Sequence, residues 1–216
     1  MLRAADMTIR RRGCLFIVSG PSGSGKTSIA TPALAAFEDM KLSVSLTTRA
    51  PRAGESNGVD YHFTDDATFS ARIAAGELAE WAEVHGHRYG TPKAPIDRAI
   101  IEGSDLLLDI DVQGASQIKR SYPDAVSVFL LPPSRESLES RLVARGTDGA
   151  ATVQRRLEAA CREIAALESY DYVIVNEHLP VAVEEFLAIV RSERRRVERL
   201  QRDDLGRLIA SFGRAP

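Results

Sequence analysis

The stretch LFIVSGPSGSGKT, residues 15–27, decides how the chain folds. LFIVS is a short apolar run and reads as a strand buried on both faces. GPSGSGKT then matches G-x-x-x-x-G-K-[ST], and helix-like sequence follows to about residue 37. Strand, glycine-rich turn and helix in that order make a phosphate cradle. The glycines let backbone N–H groups converge on phosphate oxygens, and the helix N-terminus adds a partial positive charge. On this pattern Gly20, Pro21, Ser22, Gly23, Ser24, Gly25, Lys26 and Thr27 form a nucleotide-phosphate-binding loop. Lys26 reaches the β- and γ-phosphates, and the Thr27 hydroxyl is placed for Mg²⁺.

Working outward, a second strand is expected over residues 42–46 and a helix over 26–37, with Pro32 expected to bend or interrupt that helix. Residues 47–91 break the rhythm: short segments at 61–63 and 78–84 surround one helical stretch at 65–74. Strands are then expected at 106–110, 125–131 and 172–176, and helices at 113–121, 135–144 and 152–167, with a final helix from 181 to about 205. Apolar strands alternating with helices predict an α/β fold with a parallel sheet covered on both faces.

A phosphate loop needs an acid to hold the metal. LLLDID supplies Asp109 at the end of an apolar run and Asp111 two residues on, which the alternation of a strand would point the same way. No N-K-x-D segment of the kind a GTPase uses is present, since Asn176 is followed by Glu-His-Leu. The stretch VSLTTRAPRAGESNGVDY, residues 44–61, has too little apolar material for a core strand. Placed beside the phosphate-loop strand, Arg49 and Arg52 can converge on an acceptor phosphate, because guanidinium forks match phosphate oxygens two at a time. Tyr61 adds a hydroxyl donor. Composition alone equally admits a solvated loop. Downstream, Glu80, Tyr89 and Thr91 are polar groups scattered among apolar ones.

With 28 Lys+Arg against 30 Asp+Glu, the net charge of −2 is not the basic field a nucleic-acid binder uses. The Arg-rich residues 191–204 interleave with acids and read as a solvated helix face. The two cysteines, Cys14 and Cys161, sit in apolar stretches far apart and read as buried free thiols of a reducing cytosol. His85 and His87 read as a hairpin-face pair, not as metal ligands. Residues 1–12 read as a flexible extension with Met7 as an alternative start, and no segment has signal-peptide or membrane-span character. The expected location is cytoplasmic.

The segments GPSGSGKT, VSLTTRAPRAGESNGVDYHF, AEWAEVHGHRYGT, LLLDIDVQGA, FLLPPS, RLVARG and YDYVIVN, in this order and spacing, strongly resemble guanylate kinase over about residues 14–194. The resemblance implies a P-loop core (13–44, 92–137 and 155–216), a small α+β GMP-binding insertion (45–91) and a short lid (138–154). It implies that Ser45, Glu80 and Thr91 contact guanine and that Arg49, Arg52, Tyr61 and Tyr89 hold the GMP phosphate. It puts Asp111 on the GMP side and Asp109 near Mg²⁺, and it implies that Arg141, Arg145 and Arg156 close over ATP, with Asn176 also on the ATP side. The implied reaction moves a phosphate from ATP to GMP, with Lys26, Arg49, Arg145 and Arg156 stabilising it; dGMP as acceptor and self-association are left open. Leu46, Arg88, Ala150 and Ala151 depart from the family's usual residues. A phosphopeptide-binding scaffold without activity, or a kinase on another nucleotide or a phosphorylated sugar, are the alternatives.

Overall fold

The computed structural model describes residues 9–84, 86–144 and 150–213. In chain order the strands are β1 (Leu15–Ser19), β2 (Met40–Leu42), β3 (Leu46–Thr47), β4 (His62–Phe63), β5 (Leu78–Val84), β6 (His87–Pro92), β7 (Asp105–Asp109), β8 (Val126–Leu131) and β9 (Tyr172–Val175). The helices are α1 (Lys26–Ala36), α2 (Asp66–Ala74), α3 (Lys93–Glu102), α4 (Val112–Ser121), α5 (Arg135–Ala144), α6 (Ala150–Ile164), α7 (Leu179–Glu193) and α8 (Arg202–Ser211).

Five parallel strands in the order β2-β7-β1-β8-β9 form the central sheet. Every residue of β1 is buried, and its alternation divides the core. Phe16 and Val18 face a cluster with Ile29 and Ala33 of α1 and Phe186 and Val190 of α7. Leu15 and Ile17 face Ile96 and Ala99 of α3 and Ala115 and Ile118 of α4. Each large side chain so buried contributes about 1.5–3 kcal/mol. With β7 and β8 on either side of β1, the crevice beyond the strands' C-terminal ends is where such sheets bind ligands.

A second sheet, order β4-β3-β6-β5, lies within residues 46–92. Its β5–β6 hairpin is antiparallel, with a register shift between Leu78 and Glu80. Phe69 of α2 is fully buried beneath it. Among the described residues no helix is long and apolar enough to cross a membrane.

Several expectations need correction. The strand expected at 42–46 is two strands in two sheets: the chain leaves the central sheet after Leu42 and enters the second at Leu46. Helix α1 runs unbroken through Pro32. The carbonyl that Pro32 leaves without its N–H partner belongs to Ser28, which is exposed to water. Strand β6 and helix α3 are not among the expected elements; Pro95 sits in the first turn of α3, where a missing N–H costs nothing.

The single last helix is α7 and α8 separated by an irregular segment. There the backbone bonds to the N-terminal segment instead: Arg12 N–H donates to the Arg199 carbonyl at 2.8 Å and Gln201 N–H to the Arg10 carbonyl at 2.9 Å. Residues 10–12 are therefore anchored, while Met7 lies outside the described residues. The Arg-rich segment is only partly a solvated face. Arg194 pairs with buried Asp105 at 2.6 Å and with Asp39 at 2.6 Å, and Arg199 pairs with buried Glu193 at 2.9 Å. Cys14 is buried, but Cys161 is exposed. Helix α6 buries Val153, Leu157 and Ala160, and the next residue turns out of that face.

Candidate active site

The turn between β1 and α1 has the conformation its glycines permit. Gly20, Gly23 and Gly25 have φ of 136°, 95° and 101°, a region side chains rarely adopt. A Cβ at Gly20 would lie 2.2 Å from the Leu130 carbonyl oxygen, and one at Gly25 would lie 2.3 Å from Asn176 Nδ2. Lys26 folds over the turn, its Nζ donating to the Gly20 carbonyl at 2.7 Å. Pro21 and Ser24 are buried within the loop. Asn176, just past β9, donates from Nδ2 to the Ser24 carbonyl at 2.8 Å, and Arg141 of α5 donates to the Asn176 carbonyl at 2.7 Å. Arg141 and Asn176 thus support the loop from behind.

A cleft of about 740 Å³ opens in front of it. One side carries Gly20, Ser22, Gly23, Gly25, Lys26 and Thr27, with Asp109, Asp111 and Arg156 also lining it. The other side carries Ser45, Arg52, Tyr61, Glu80 and Tyr89 from the second sheet and its connections. Residues more than 60 positions apart in the sequence therefore face one space. Arg145 and His85 lie outside the described residues.

On the far wall, Glu80 of β5 is only 4% exposed and stands opposite Thr91 of β6 in register. The buried Thr91 hydroxyl donates to Glu80 Oε1 at 2.5 Å. Burial pushes the Glu80 carboxyl up to about 7, opposed by the Thr91 hydrogen bond and reinforced by the nearby Asp111. Tyr61 packs edge-on against Tyr89, and burial raises its phenol.

Arg49 behaves differently from the sequence expectation of an open phosphate ligand. Its guanidinium is buried, donating to Glu55 Oε1 at 2.9 Å and Oε2 at 3.0 Å and to the Tyr89 hydroxyl at 3.2 Å. The carboxylate of Glu55 occupies the fork a phosphate would use. Arg52 reaches the cleft itself.

Asp109 ends β7, but Asp111 is not on the strand as expected. It caps α4, its Oδ1 accepting from Gly114 N–H at 2.9 Å. Both still line the cleft because the strand end and the helix start meet there. Asp109 opens to cleft solvent yet is enclosed on its other sides. Desolvation raises its carboxyl, and Lys26 lowers it. Three contributors had escaped sequence reading: Glu55, Gly114 and Glu163, a half-buried acid of α6 on the cleft wall. Glu55 was detectable by its spacing of three from Arg52; the other two sit within ordinary helical sequence.

A parallel sheet with a phosphate loop after β1, facing an inserted sheet across one cleft, defines the class: a P-loop phosphotransferase fold of the nucleoside monophosphate kinase type. The guanylate kinase family model matches residues 12–193. The chain is 52% identical over 200 residues to the guanylate kinase of Syntrophotalea carbinolica, covering 93% of this chain and 95% of that one. It is 48% identical to that of Myxococcus xanthus, covering 92% of this chain and 96% of the relative. The crystal structure of guanylate kinase from Anaplasma phagocytophilum superposes with a TM-score of 0.81 at 34% identity, covering 97% of this chain and all of that one. The chain belongs to the guanylate kinase family.

Proposed function

We propose that the protein transfers the γ-phosphate of Mg·ATP to GMP, giving ADP and GDP. The observation that carries this reading is the single cleft in which a phosphate loop faces a buried carboxylate on a separate sheet. Residues 13–44, 92–137 and 155–216 form the donor core, 45–91 the acceptor insertion and 138–154 the lid.

On the donor side, backbone N–H groups of residues 22–27 cradle the ATP phosphates, and Lys26 leaves its loop carbonyl to meet the β- and γ-phosphates. The described residues offer no group of three or more His, Cys, Asp or Glu that would cage a metal. That donor set suits Mg²⁺, which keeps several waters and takes one or two protein oxygens beside phosphate oxygens. Thr27 and Asp109 would hold it, and bound there it would neutralise charge on the transferring phosphate. Asp109, whose carboxyl is raised by burial and lowered by Lys26, gains from such a cation.

On the acceptor side, Arg52, Tyr61 and Tyr89 meet the GMP phosphate, and Arg49 joins when the phosphate replaces Glu55. Guanine presents N1–H and an amino group side by side, and the Glu80 carboxylate accepts both, supported by Ser45, Thr91 and Asp111. Adenine has no N1–H, so Glu80 would face an acceptor and stay unpaired. A GMP phosphate oxygen then attacks the γ-phosphorus as the bond to the ADP oxygen breaks, aligned in line. Arg141, Arg145 and Arg156 add positive charge as the lid closes and water is excluded. The work fits a cytoplasmic enzyme of purine nucleotide metabolism.

The test is a screen of nucleoside monophosphates, dGMP included, with ATP and Mg²⁺, following ADP release. GMP should be the preferred acceptor. ADP release with AMP, CMP or UMP in preference to GMP, or none with any acceptor, would refute the reading.

A further inference from the structure

Glu80 rests on a glycine. An ideal Cβ at Gly114, in the first turn of α4, would lie 2.6 Å from Glu80 Oε2, 2.9 Å from its Cδ and 3.3 Å from Asp111 Oδ1. The carboxylate is therefore fixed from two sides, with Oε1 on the Thr91 hydroxyl and Oε2 against bare helix backbone. Strand β5 is tethered to the same helix. It is the outer strand of its sheet, and Gln117, one turn further along α4, ties down its free edge. The Gln117 Oε1 accepts from Trp81 N–H at 3.2 Å, and its Nε2 donates to the Trp81 carbonyl at 2.8 Å. The residue next to Glu80 is thus held to the same helix that carries Gly114.

We propose that Gly114 is a specificity-determining position for the acceptor base. Its missing side chain is what lets the Glu80 carboxylate sit at the depth where it reads a purine bearing adjacent N–H donors. This rests on Glu80 being the base-reading group. Nothing in the backbone requires glycine at 114: it lies in a helix without a left-handed φ, where alanine is the better helix former. The atoms in the way of a Cβ are carboxylate atoms, the ends of flexible side chains, so the helix stays and Glu80 yields. Gly114 is a positioning residue that acts through Glu80.

The test compares Gly114→Ala, Glu80→Gln and the double variant in steady-state kinetics with GMP, AMP and ATP, alongside thermal melts. Gly114→Ala is expected to raise KM for GMP at least about tenfold, to leave KM for ATP within about twofold and to narrow the GMP-over-AMP preference. Its melting temperature should be unchanged or higher, and the double variant should be no worse than Glu80→Gln, because both act on one group. If Glu80→Gln impairs GMP use while Gly114→Ala does not, the inference on Gly114 is overturned and the base-reading stands. If neither variant changes GMP kinetics, the base-reading itself fails and the inference with it. A Gly114→Ala protein that melts lower and loses ATP and GMP affinity together also overturns the inference, since the damage is then to the helix.

Discussion

The hydroxyl of Thr91 and the carboxylate of Glu80 face each other across the β5–β6 pair at 2.5 Å, both buried. The pairing is what holds an acid in a nearly dry site, and its consequences are measurable.

Because burial lifts the Glu80 carboxyl to about 7, the free protein carries it substantially protonated at neutral pH. Reading two guanine donors needs the carboxylate, so kcat/KM for GMP should rise with pH through about 7, and Glu80→Gln should lack that limb. Stability runs the opposite way. A carboxyl with its folded value above its unfolded one stabilises fully below the unfolded value, and that contribution is lost as pH rises through the folded value. Urea unfolding at acid and at alkaline pH should therefore show Glu80→Gln gaining relative to wild type as pH rises, by up to about 3 kcal/mol.

Lys26→Met removes the cation proposed to meet the transferring phosphate while leaving an unbranched side chain of similar length. The kcat should fall by about a hundredfold or more. A phosphopeptide-binding scaffold would lose nothing by this change, so retained binding to phosphate ligands with no activity in the wild type would favour that alternative.

The Arg49–Glu55 pair predicts a substitution with an unusual rescue. Glu55→Ala leaves a buried guanidinium without its partner and should cost about 1–3 kcal/mol in denaturant unfolding. Inorganic phosphate should then raise the melting temperature of Glu55→Ala more than that of wild type, because the anion enters the fork that Glu55 fills. Equal phosphate effects on both proteins would show that the fork is not a phosphate site.

Asp105 is wholly buried and accepts from Arg11, from Arg194 Nε at 2.6 Å and from the Cys14 N–H at 2.9 Å. Asp105→Asn removes the buried carboxylate that Arg11 and Arg194 share, leaving both guanidiniums on the half-exposed Asp39 alone, at the far end of the sheet from the cleft. Stability should drop by about 3 kcal/mol, with kcat and both KM values at 25 °C little changed. A large kinetic effect would mean that this end of the sheet is coupled to the cleft.

Much of the architecture was legible because it depends on local spacing. A five-residue apolar run, glycines where the backbone must take positive φ, and a lysine opening a helix specify a strand, a cradle and a dipole without help from distant residues. The same holds for helix α5, which matches its expected bounds, and for the alternation that buries both faces of β1. The hairpin strand β6 was hidden because Gly90 and Pro92 interrupt a run whose only strand formers are Tyr89 and Thr91. Its pairing partner β5 supplies the hydrogen bonds that its composition does not advertise.

Which arginine meets which acid was not legible. Arg49 and Arg52 are near neighbours of one kind in the sequence, yet one is buried in the fork of Glu55 and the other opens to the cleft. The arginines after residue 190 look alike, yet the half-buried Arg194 and Arg199 pair with buried acids while Arg191 and Arg196 face solvent. The chain of residues thus dictated the turn proposed to grip phosphate, since that rests on backbone geometry within a few residues. Only tertiary structure decided how deep Glu80 lies and what presses on it, since desolvation and contact come from Thr91 and Gly114, brought there by a hairpin and a helix start.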